Sequence, residues 1–303
     1  MKIIRAKILG FCAGVRRAVN AADKAISENG EGQVYSFGPL IHNPVALNKL
    51  AERNLKILVE SKISSLKNGD TVIIRAHGVP PETENAIREK GVNVVNATCP
   101  LVTKSQKTAA DYAAKGYIIF FAGDKNHGEV VGIEGYAKKA ASEAGKELHF
   151  ILIKDAEELK SALSELSEKN LLSPSSKVIL LSQTTFSIKI FELLKTELKK
   201  AVPHAEVVSS ICPATYERQD SLVSLCAEVD GVIVIGGRTS ANTNRLFVTA
   251  NSLCKKAVLI EKPEEIPAVF FSLQTVGITA GASTPDSTIQ EVEERLLHES
   301  EHS

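Results

Sequence analysis

The stretch GVNVVNATCPLVTKSQKTAADYAAKGYIIFFAGDKNHGE, residues 91–129, contains the pattern that decides the fold. An apolar run ends at Cys99, a helical stretch follows, and a second apolar run ends in a loop with Asp124, His127 and Glu129. Continuous Val/Ile-rich runs are typical of strands buried on both faces of a parallel sheet. The stretch therefore predicts a strand–helix–strand unit with a thiol at the first junction and polar side chains at the second.

The same strand–thiol–helix pattern occurs twice more. KIIRAKILGF precedes Cys12 and AGVRRAVNAA follows it, while AEVVSSI precedes Cys212 and PATYERQDSLVSL follows it. The three cysteines are 87 and 113 residues apart, which is close to the roughly 100-residue size of a small domain. One unit is predicted to occur three times, as lobes 1–97, 98–208 and 209–303, with the N-terminal strand as a candidate member of the third lobe.

Each unit also has two polar loops that follow strands. The first loops, GPLIHNP, GDKNHGE and GGRTSANTN, place His42, His127 and Ser240 30, 28 and 28 residues beyond their cysteines. The second loops carry, unit by unit, His77, Thr184 and Ser283. Functional groups gather at the carboxyl ends of strands in parallel α/β sheets. The predicted fold is α/β, with three similar parallel-sheet lobes in a pseudo-threefold arrangement whose six polar loops surround a thiolate centre.

Apolar runs alternate with helical stretches over most of the chain. Besides the helices that follow the three cysteines, the pattern predicts helices at PETENAIREKG, DAEELKSALSEL, FELLKTELKKA and DSTIQEVEERLLH. Gly91 and Gly116 stand where helices are expected to end. This strand–helix alternation supports the α/β class.

The composition excludes several classes of function. Of 303 residues, 36 are Lys or Arg and 36 are Asp or Glu, so no global field favours nucleic acid or an anionic membrane as a partner. The N-terminus is interrupted by Arg5 and Lys7, which argues against a secretory signal, and the uncharged stretch 266–285 contains Pro and Gly. Five cysteines without compact disulfide spacing predict a reducing, cytoplasmic location and cysteines used for chemistry.

Three thiolates that converge would form a soft metal site. Cysteine thiolates bind iron–sulfur clusters, zinc or copper, and Cys12, Cys99 and Cys212 lie outside any C-x-x-C pair. Three protein ligands on a four-site centre leave one position open, which is the arrangement of a catalytic rather than a structural centre. Cys226 and Cys254 lack neighbouring polar loops and are interpreted as small buried apolar residues.

The polar loops supply candidate catalytic and anion-binding groups. Histidine in such a loop binds an anion, ligates a metal or shuttles protons, and the candidates are His42, His77 and His127. Hydroxyl and amide groups suit anion oxygens, and the candidates are Thr184, Ser240, Asn242 and Ser283. Glu129 or Asp124 is a candidate acid, and the sequence does not choose between them. The chain contains neither a Walker A loop nor a dinucleotide fingerprint.

Three kinds of protein agree with these residues. The first is an iron–sulfur reductase that acts on a small anionic substrate. The second is a zinc hydrolase with a three-thiolate site, in which Glu129 acts as general base on a metal-bound water. The third is a non-enzymatic iron–sulfur sensor, against which stand the neutral surface and the polar loops that need a small ligand to explain them.

The order of motifs resembles that of the 4-hydroxy-3-methylbut-2-enyl diphosphate reductases. The motifs span residues 10–286 and are GFCAGVRRAV, IHNP, RAHGVP, ATCPLVTK, GDKNHGEVVGIEGY, SQTT, SSICPATYERQ, GGRTSANTNRL and GITAGASTPD. The resemblance implies three lobes around one central [4Fe–4S] cluster per chain. Its ligands would be Cys12, Cys99 and Cys212, with one open iron for the substrate hydroxyl. It implies removal of that hydroxyl with two electrons and two protons, giving isopentenyl and dimethylallyl diphosphate.

The resemblance also implies roles for single residues. Glu129 would be the proton source, with Thr184 and His127 in its relay. The diphosphate would be held by His42, His77, His127, Thr184, Ser240, Asn242 and Ser283. A ferredoxin or flavodoxin is implied as one-electron donor. Ala241 departs from the family pattern, in which a second serine is expected at that position.

Overall fold

The computed structural model describes residues 1–28 and 30–301, and the remaining residues 29, 302 and 303 lie outside this part. Within it the chain forms twelve strands, and the apolar runs before Cys12, Cys99 and Cys212 are among them. The strands are β1 Lys2–Arg5, β2 Val34–Phe37, β3 Leu55–Leu58, β4 Thr71–Ile74, β5 Asn93–Asn96, β6 Ile118–Ala122, β7 His149–Ile153, β8 Val178–Ser182, β9 Glu206–Val207, β10 Gly231–Ile235, β11 Ala257–Ile260 and β12 Thr275–Ala280.

The described residues also form ten α-helices, which alternate with the strands. They are α1 Ala13–Glu28, α2 Pro44–Ala51, α3 Pro81–Arg88, α4 Pro100–Ala114, α5 Gly128–Glu143, α6 Ala156–Glu168, α7 Ile188–Ala201, α8 Pro213–Cys226, α9 Ala241–Leu253 and α10 Asp286–Glu301. Three of them, α2, α5 and α9, are not among the helices predicted from the sequence. Each begins inside one of the three first polar loops, at Pro44, Gly128 or Ala241.

The strands form three four-stranded sheets of the same topology, which confirms the predicted α/β class. Their strand orders are β1-β12-β10-β11, β3-β2-β4-β5 and β7-β6-β8-β9. In each sheet the strand before a cysteine (β1, β5 or β9) lies at one edge. Its neighbour is the strand before the second polar loop (β12, β4 or β8), and the strand before the first polar loop (β10, β2 or β6) follows. The N-terminal β1 pairs in parallel with β12, so the first residues of the chain belong to the same sheet as β10 and β11.

The described residues fall into two compact units. One is drawn from Met1–Val59, Gly69–Ile73 and Pro213–Ser303, and the other from Glu60–Asn68 and Ile74–Cys212. The boundaries of the three sequence-predicted lobes stay a prediction. In the sheets that lie wholly within one unit, all strands run in parallel, so the loops after them leave from one edge.

In the sheets that contain β6 and β10, alternate residues of the central strands fill two cores on opposite faces. On β6, Phe120 packs with residues of α6 and α7, while Phe121 packs with residues of α4 and α5. On β10, Ile233 packs towards α10 and Val232 towards α8 and α9. Because these strands are buried on both faces, their sequences are continuous apolar runs, and the parallel sheets were predicted from those runs.

Glycines set where α4 ends and how closely α5 packs. Gly116 follows α4 with φ +73°, and its N–H donates to the Ala113 carbonyl at 3.0 Å, as expected of a residue that ends a helix. In α5, a Cβ at Gly135 would lie 2.7 Å from the Cβ of Pro80. The missing side chain lets the middle of α5 lie close to the segment that follows β4.

Candidate functional site

The three repeated cysteines occupy the same position in the three sheets. Cys99 is the N-cap residue of α4, and Cys12 and Cys212 directly precede α1 and α8. Each cysteine N–H donates to a carbonyl in the loop after the neighbouring strand. These pairs are Cys12 with Ala282 at 3.1 Å, Cys99 with Ala76 at 2.9 Å and Cys212 with Thr184 at 2.9 Å. The shared strand–thiol–helix junction is therefore a structural repeat as well as a sequence pattern.

The chemistry of these three thiols fits an iron–sulfur centre. All three are free thiols and half-buried, and the Cys12 Sγ accepts the N–H of Val15 at 3.4 Å. Iron–sulfur clusters are held by cysteine thiolates. A helix N-terminus carries a partial positive charge that favours anionic ligands, and each cysteine lies at one.

Glu129 is a buried carboxyl held by Thr184. It lies in the first turn of α5 and is 1% exposed. The Thr184 N–H donates to Glu129 Oε1 at 2.7 Å, and the Thr184 hydroxyl donates to Oε2 at 2.8 Å. The alternative acid, Asp124, is only half-buried, in the loop before α5. The sequence did not choose between Glu129 and Asp124 as the candidate acid. Burial and the two contacts with Thr184 distinguish Glu129 from Asp124.

His127 is the N-cap residue of α5. Its Nδ1 accepts the N–H of Glu129 at 3.2 Å. Because Nδ1 is the acceptor, the neutral ring carries its proton on Nε2 and presents an N–H donor on its other side. Sequence reasoning placed His127 in a polar loop but gave it no role in starting a helix.

His77 lies beside His127 in the turn that follows β4. The two rings are edge to face, with centroids 5.2 Å apart and planes at 88°. Gly78, which follows His77, has φ +70°, and a Cβ there would lie 2.5 Å from Nε2 of Gln106. The turn thus needs glycine at this position for both its backbone conformation and its packing against α4.

In the other unit, Ser240 and Asn242 start α9. Ser240 is the N-cap residue, and its hydroxyl oxygen accepts the N–H of Thr243 at 3.3 Å. Asn242 is 5% exposed, and its Nδ2 has no hydrogen-bond partner among the described residues. A buried amide donor without a partner is costly, unless a ligand accepts from it. Asn242 is therefore the clearest donor for a ligand in this unit.

His42 and Ser283 lie together in the same unit as Asn242. The Ser283 hydroxyl donates to the His42 carbonyl at 3.2 Å. A Cβ at Gly237 would overlap that same carbonyl, so the loop before Ser240 also packs against His42. The neighbouring Asn43 is the N-cap of α2 and accepts the N–H of Ala46 at 3.0 Å.

The predicted site residues thus form two groups, each within one unit. Contacts join several members of each group, and the backbone of a cysteine is tied to the same loops. One unit holds Cys12, His42, Ser240, Asn242 and Ser283, and the other holds His77, Cys99, His127, Glu129, Thr184 and Cys212.

A family model described as LytB protein matches residues 3–297. This chain belongs to the LytB family. A 4-hydroxy-3-methylbut-2-enyl diphosphate reductase of Treponema denticola is 42% identical over 301 residues, covering 98% of this chain and 99% of the relative. The protein of the same description from Aquifex aeolicus is 39% identical, covering 97% of this chain and 95% of the relative.

Two solved structures are similar to this member of the LytB family. One, of an (E)-4-hydroxy-3-methyl-but-2-enyl diphosphate reductase called the terminal enzyme of the non-mevalonate pathway, is 37% identical. It matches with a TM-score of 0.69 over 98% of this chain and 99% of that chain. The other, an E-1-hydroxy-2-methyl-but-2-enyl-4-diphosphate reductase from Plasmodium falciparum, is 25% identical, with a TM-score of 0.84 over 97% and 87%. The family resemblance read from the motifs is confirmed.

Two buried side chains of this LytB-family chain hold the site loops and were missed in the sequence. The Gln183 Oε1 accepts the N–H of Asp124 at 2.9 Å, which ties the loop before α5 to that of Thr184. Arg218, 3% exposed, donates to the carbonyls of Ala214 at 2.9 Å and Gly10 at 2.6 Å, which anchors the segment before Cys12. Gln183 lies in the motif SQTT and Arg218 in the motif SSICPATYERQ. A glutamine or an arginine in a motif does not by itself indicate that its side chain binds the main chain of another loop.

The cations that the sequence places near the motifs are exposed. Lys104, Lys125 and Arg238 lie on the surface, and Arg238 pairs with Glu265. Arg75, which the sequence did not single out, is half-buried beside the start of α5. In the described part of the chain, no helix combines the length and apolar character needed to span a bilayer.

Proposed function

We propose that this chain reduces 4-hydroxy-3-methylbut-2-enyl diphosphate to isopentenyl and dimethylallyl diphosphate. The observation that carries the proposal is the near full-length match to relatives that bear this name. In the reaction a C–O bond of the allylic alcohol breaks, its hydroxyl leaves as water, and a C–H bond forms. Two electrons and two protons balance the change, and the diphosphate group is retained.

A [4Fe–4S] cluster, one per chain, is the group that the family implies. Cys12, Cys99 and Cys212 would hold it, because all three are free thiols at the same junction of three like sheets. When bound, the cluster supplies the two electrons one at a time. We infer that a ferredoxin or a flavodoxin is the electron donor that reduces the cluster again.

Glu129 is the residue to which we assign proton delivery. Its burial keeps the carboxyl away from bulk water, and Thr184 fixes both of its oxygens. The hydroxyl of Thr184 is the neighbouring group through which a proton can reach Oε2. A carboxyl held in one orientation transfers a proton along a defined direction, which general acid catalysis requires.

The diphosphate is assigned to the neutral donors of the polar loops. Asn242 offers the buried Nδ2 without a partner, and His127 offers its Nε2–H. Ser240, Ser283, His42 and His77 lie in the same two groups. Neutral donors bind a diphosphate less strongly than cations do, so this assignment leaves a role open for a positive group.

Anaerobic purification and metal analysis test this function. We expect brown protein with about four irons and four sulfides per chain. We also expect turnover of the allylic diphosphate with a reduced one-electron donor, followed by mass spectrometry of both products. Cys99→Ser is expected to lose iron and turnover, while the matched control Cys226→Ser keeps both. Colourless, zinc-loaded protein, or iron retained after Cys99→Ser, would contradict the proposal.

A further inference from the structure

Arg75 begins the turn that follows β4 and has none of the roles described above. The N–H of Gly78 donates to the Arg75 carbonyl at 3.0 Å, which closes the turn around Ala76 and His77. The Ala76 carbonyl accepts the N–H of Cys99 at 2.9 Å. Arg75 therefore belongs to the same turn as one proposed diphosphate ligand and as the anchor of one proposed cluster ligand.

The guanidinium of Arg75 lies against the first residue of α5. A Cβ at Gly128 would overlap an Nη of Arg75 and lie 2.8 Å from its Cζ. Gly128 stands between His127, the N-cap of the helix, and Glu129. The positive charge is thus located at the helix N-terminus that carries two of the proposed site residues.

Among the described residues, no carboxylate balances this charge. The Nε of Arg75 is buried without a hydrogen-bond partner, and no carboxylate of the described residues forms an ion pair with it. Burial lowers the pKa of the Arg75 guanidinium. The side chain is half-buried rather than enclosed, which leaves it accessible to a ligand.

This position is unfavourable for a cation unless an anion binds there. A helix N-terminus carries a partial positive charge, which repels a guanidinium and attracts an anion. A desolvated charge without a partner also destabilises the fold. Arg75 and the N-terminus of α5 together present positive potential beside His77 and His127.

We propose that Arg75 binds the diphosphate group of the substrate, as the cation among the neutral donors of the polar loops. The inference rests on the proposed function and adds one residue to it. A guanidinium presents two N–H groups in a fork that matches two oxygens of a phosphate, so Arg75 contributes orientation as well as charge. Binding replaces the missing counter-ion, which makes the complex more stable than the free protein.

Calorimetric binding of inorganic pyrophosphate to the iron-loaded protein tests this directly. We expect Arg75→Gln to weaken binding about 10- to 100-fold, the effect of losing a charge-assisted hydrogen-bond pair. Arg75→Lys keeps the charge but not the fork, and is expected to bind about 3- to 10-fold more weakly. In steady-state kinetics, KM for the allylic diphosphate is expected to rise in both variants, with kcat changed less than KM.

Arg88→Gln is the matched control. Arg88 lies in the same unit and carries the same group, but its side chain is 50% exposed and is paired with Glu84 at 2.6 Å. Its substitution is expected to leave pyrophosphate binding unchanged. Thermal unfolding adds a second comparison: pyrophosphate should raise the Tm of the wild type more than that of Arg75→Gln, because the stabilisation of the folded state grows with the logarithm of ligand concentration over Kd.

The outcomes separate this inference from the proposed function. A wild type that binds pyrophosphate but does not reduce the allylic diphosphate contradicts the proposed function. The role of Arg75 in binding is then decided by the calorimetric comparison of Arg75→Gln with wild type. A pyrophosphate Kd within about twofold of wild type in Arg75→Gln overturns the role of Arg75, whatever the turnover. If Arg75→Gln does not fold, unchanged binding in Arg75→Lys overturns it.

Discussion

Replacing Thr184 with valine tests whether its hydroxyl holds the carboxyl of Glu129. Valine has nearly the same shape as threonine, and the main-chain N–H that donates to Oε1 remains. The change removes the O–H donor that contacts Oε2 at 2.8 Å. Both residues are buried, so water does not readily replace the lost donor.

The expected loss of stability follows from this geometry. Leaving a buried acceptor without a hydrogen-bond donor costs about 1–3 kcal/mol. For a chain of this size, one kcal/mol corresponds to a Tm change of about 2 °C, so a cost of about 2 kcal/mol lowers Tm by about 4 °C. If Thr184 also relays a proton, kcat falls about 100-fold, which is the lower end of what a positioned acid–base group contributes.

The assay follows both quantities on iron-loaded protein under anaerobic conditions. Calorimetric unfolding gives Tm, and steady-state turnover with a reduced donor gives kcat and its pH profile. Thr184→Ser keeps the hydroxyl and is expected to stay within about threefold of the wild-type kcat. Wild-type Tm and kcat in Thr184→Val would refute the reasoning. Equal damage in the serine variant would show that the methyl group, rather than the hydroxyl, is what matters.

Three further predictions concern other contacts. Glu129→Gln keeps shape and iron content but should lower kcat at least about 100-fold, and normal turnover would remove Glu129 from the proton path. Arg218→Met should lower Tm and speed iron loss to a chelator, because the buried carbonyl of Gly10 loses its charged donor; unchanged iron retention argues against this anchor. A hydrogen bond to Glu206 raises the pKa of Tyr112 to about 12. This hydrogen bond stabilises the folded state fully below pH 10, and the stabilisation is lost as pH rises towards about 12. Tyr112→Phe should therefore make the free energy of unfolding, measured with urea, fall less steeply with pH between 10 and about 12.

Patterns of buried residues predicted the sheets well. Strands such as β6 and β8 are buried on both faces, so every residue in them is apolar or small and the run is visible without any partner. The cysteine junctions were equally visible, because an unusual residue type recurs at each of them. The N-terminal strand was only a candidate member of the third lobe, because the pairing of β1 with β12 spans more than 270 residues and no local pattern encodes it.

The helices α2, α5 and α9 were not predicted, and for α5 the reason concerns its first turn. Each starts with a polar N-cap, Asn43, His127 or Ser240, and histidine is not one of the residue types from which an N-cap is usually predicted. α5 begins with glycine and contains two more, at 132 and 135, which weaken its helical signal. Two of these glycines are explained by close packing, Gly128 against Arg75 in the turn after β4 and Gly135 against Pro80, which only the structure reveals.

Thr184 also explains why the acid and a cysteine cannot be positioned independently. Its N–H and hydroxyl hold Glu129, while its carbonyl accepts the N–H of Cys212 at 2.9 Å. A displacement of Thr184 that weakened its contact to Cys212 would also move the donors of Glu129. Under the proposed function, Cys212 is a cluster ligand and Glu129 the proton source, and that function requires the two residues to keep a fixed separation. One residue that bonds to both provides that constraint, because any movement of the loop displaces the two groups together.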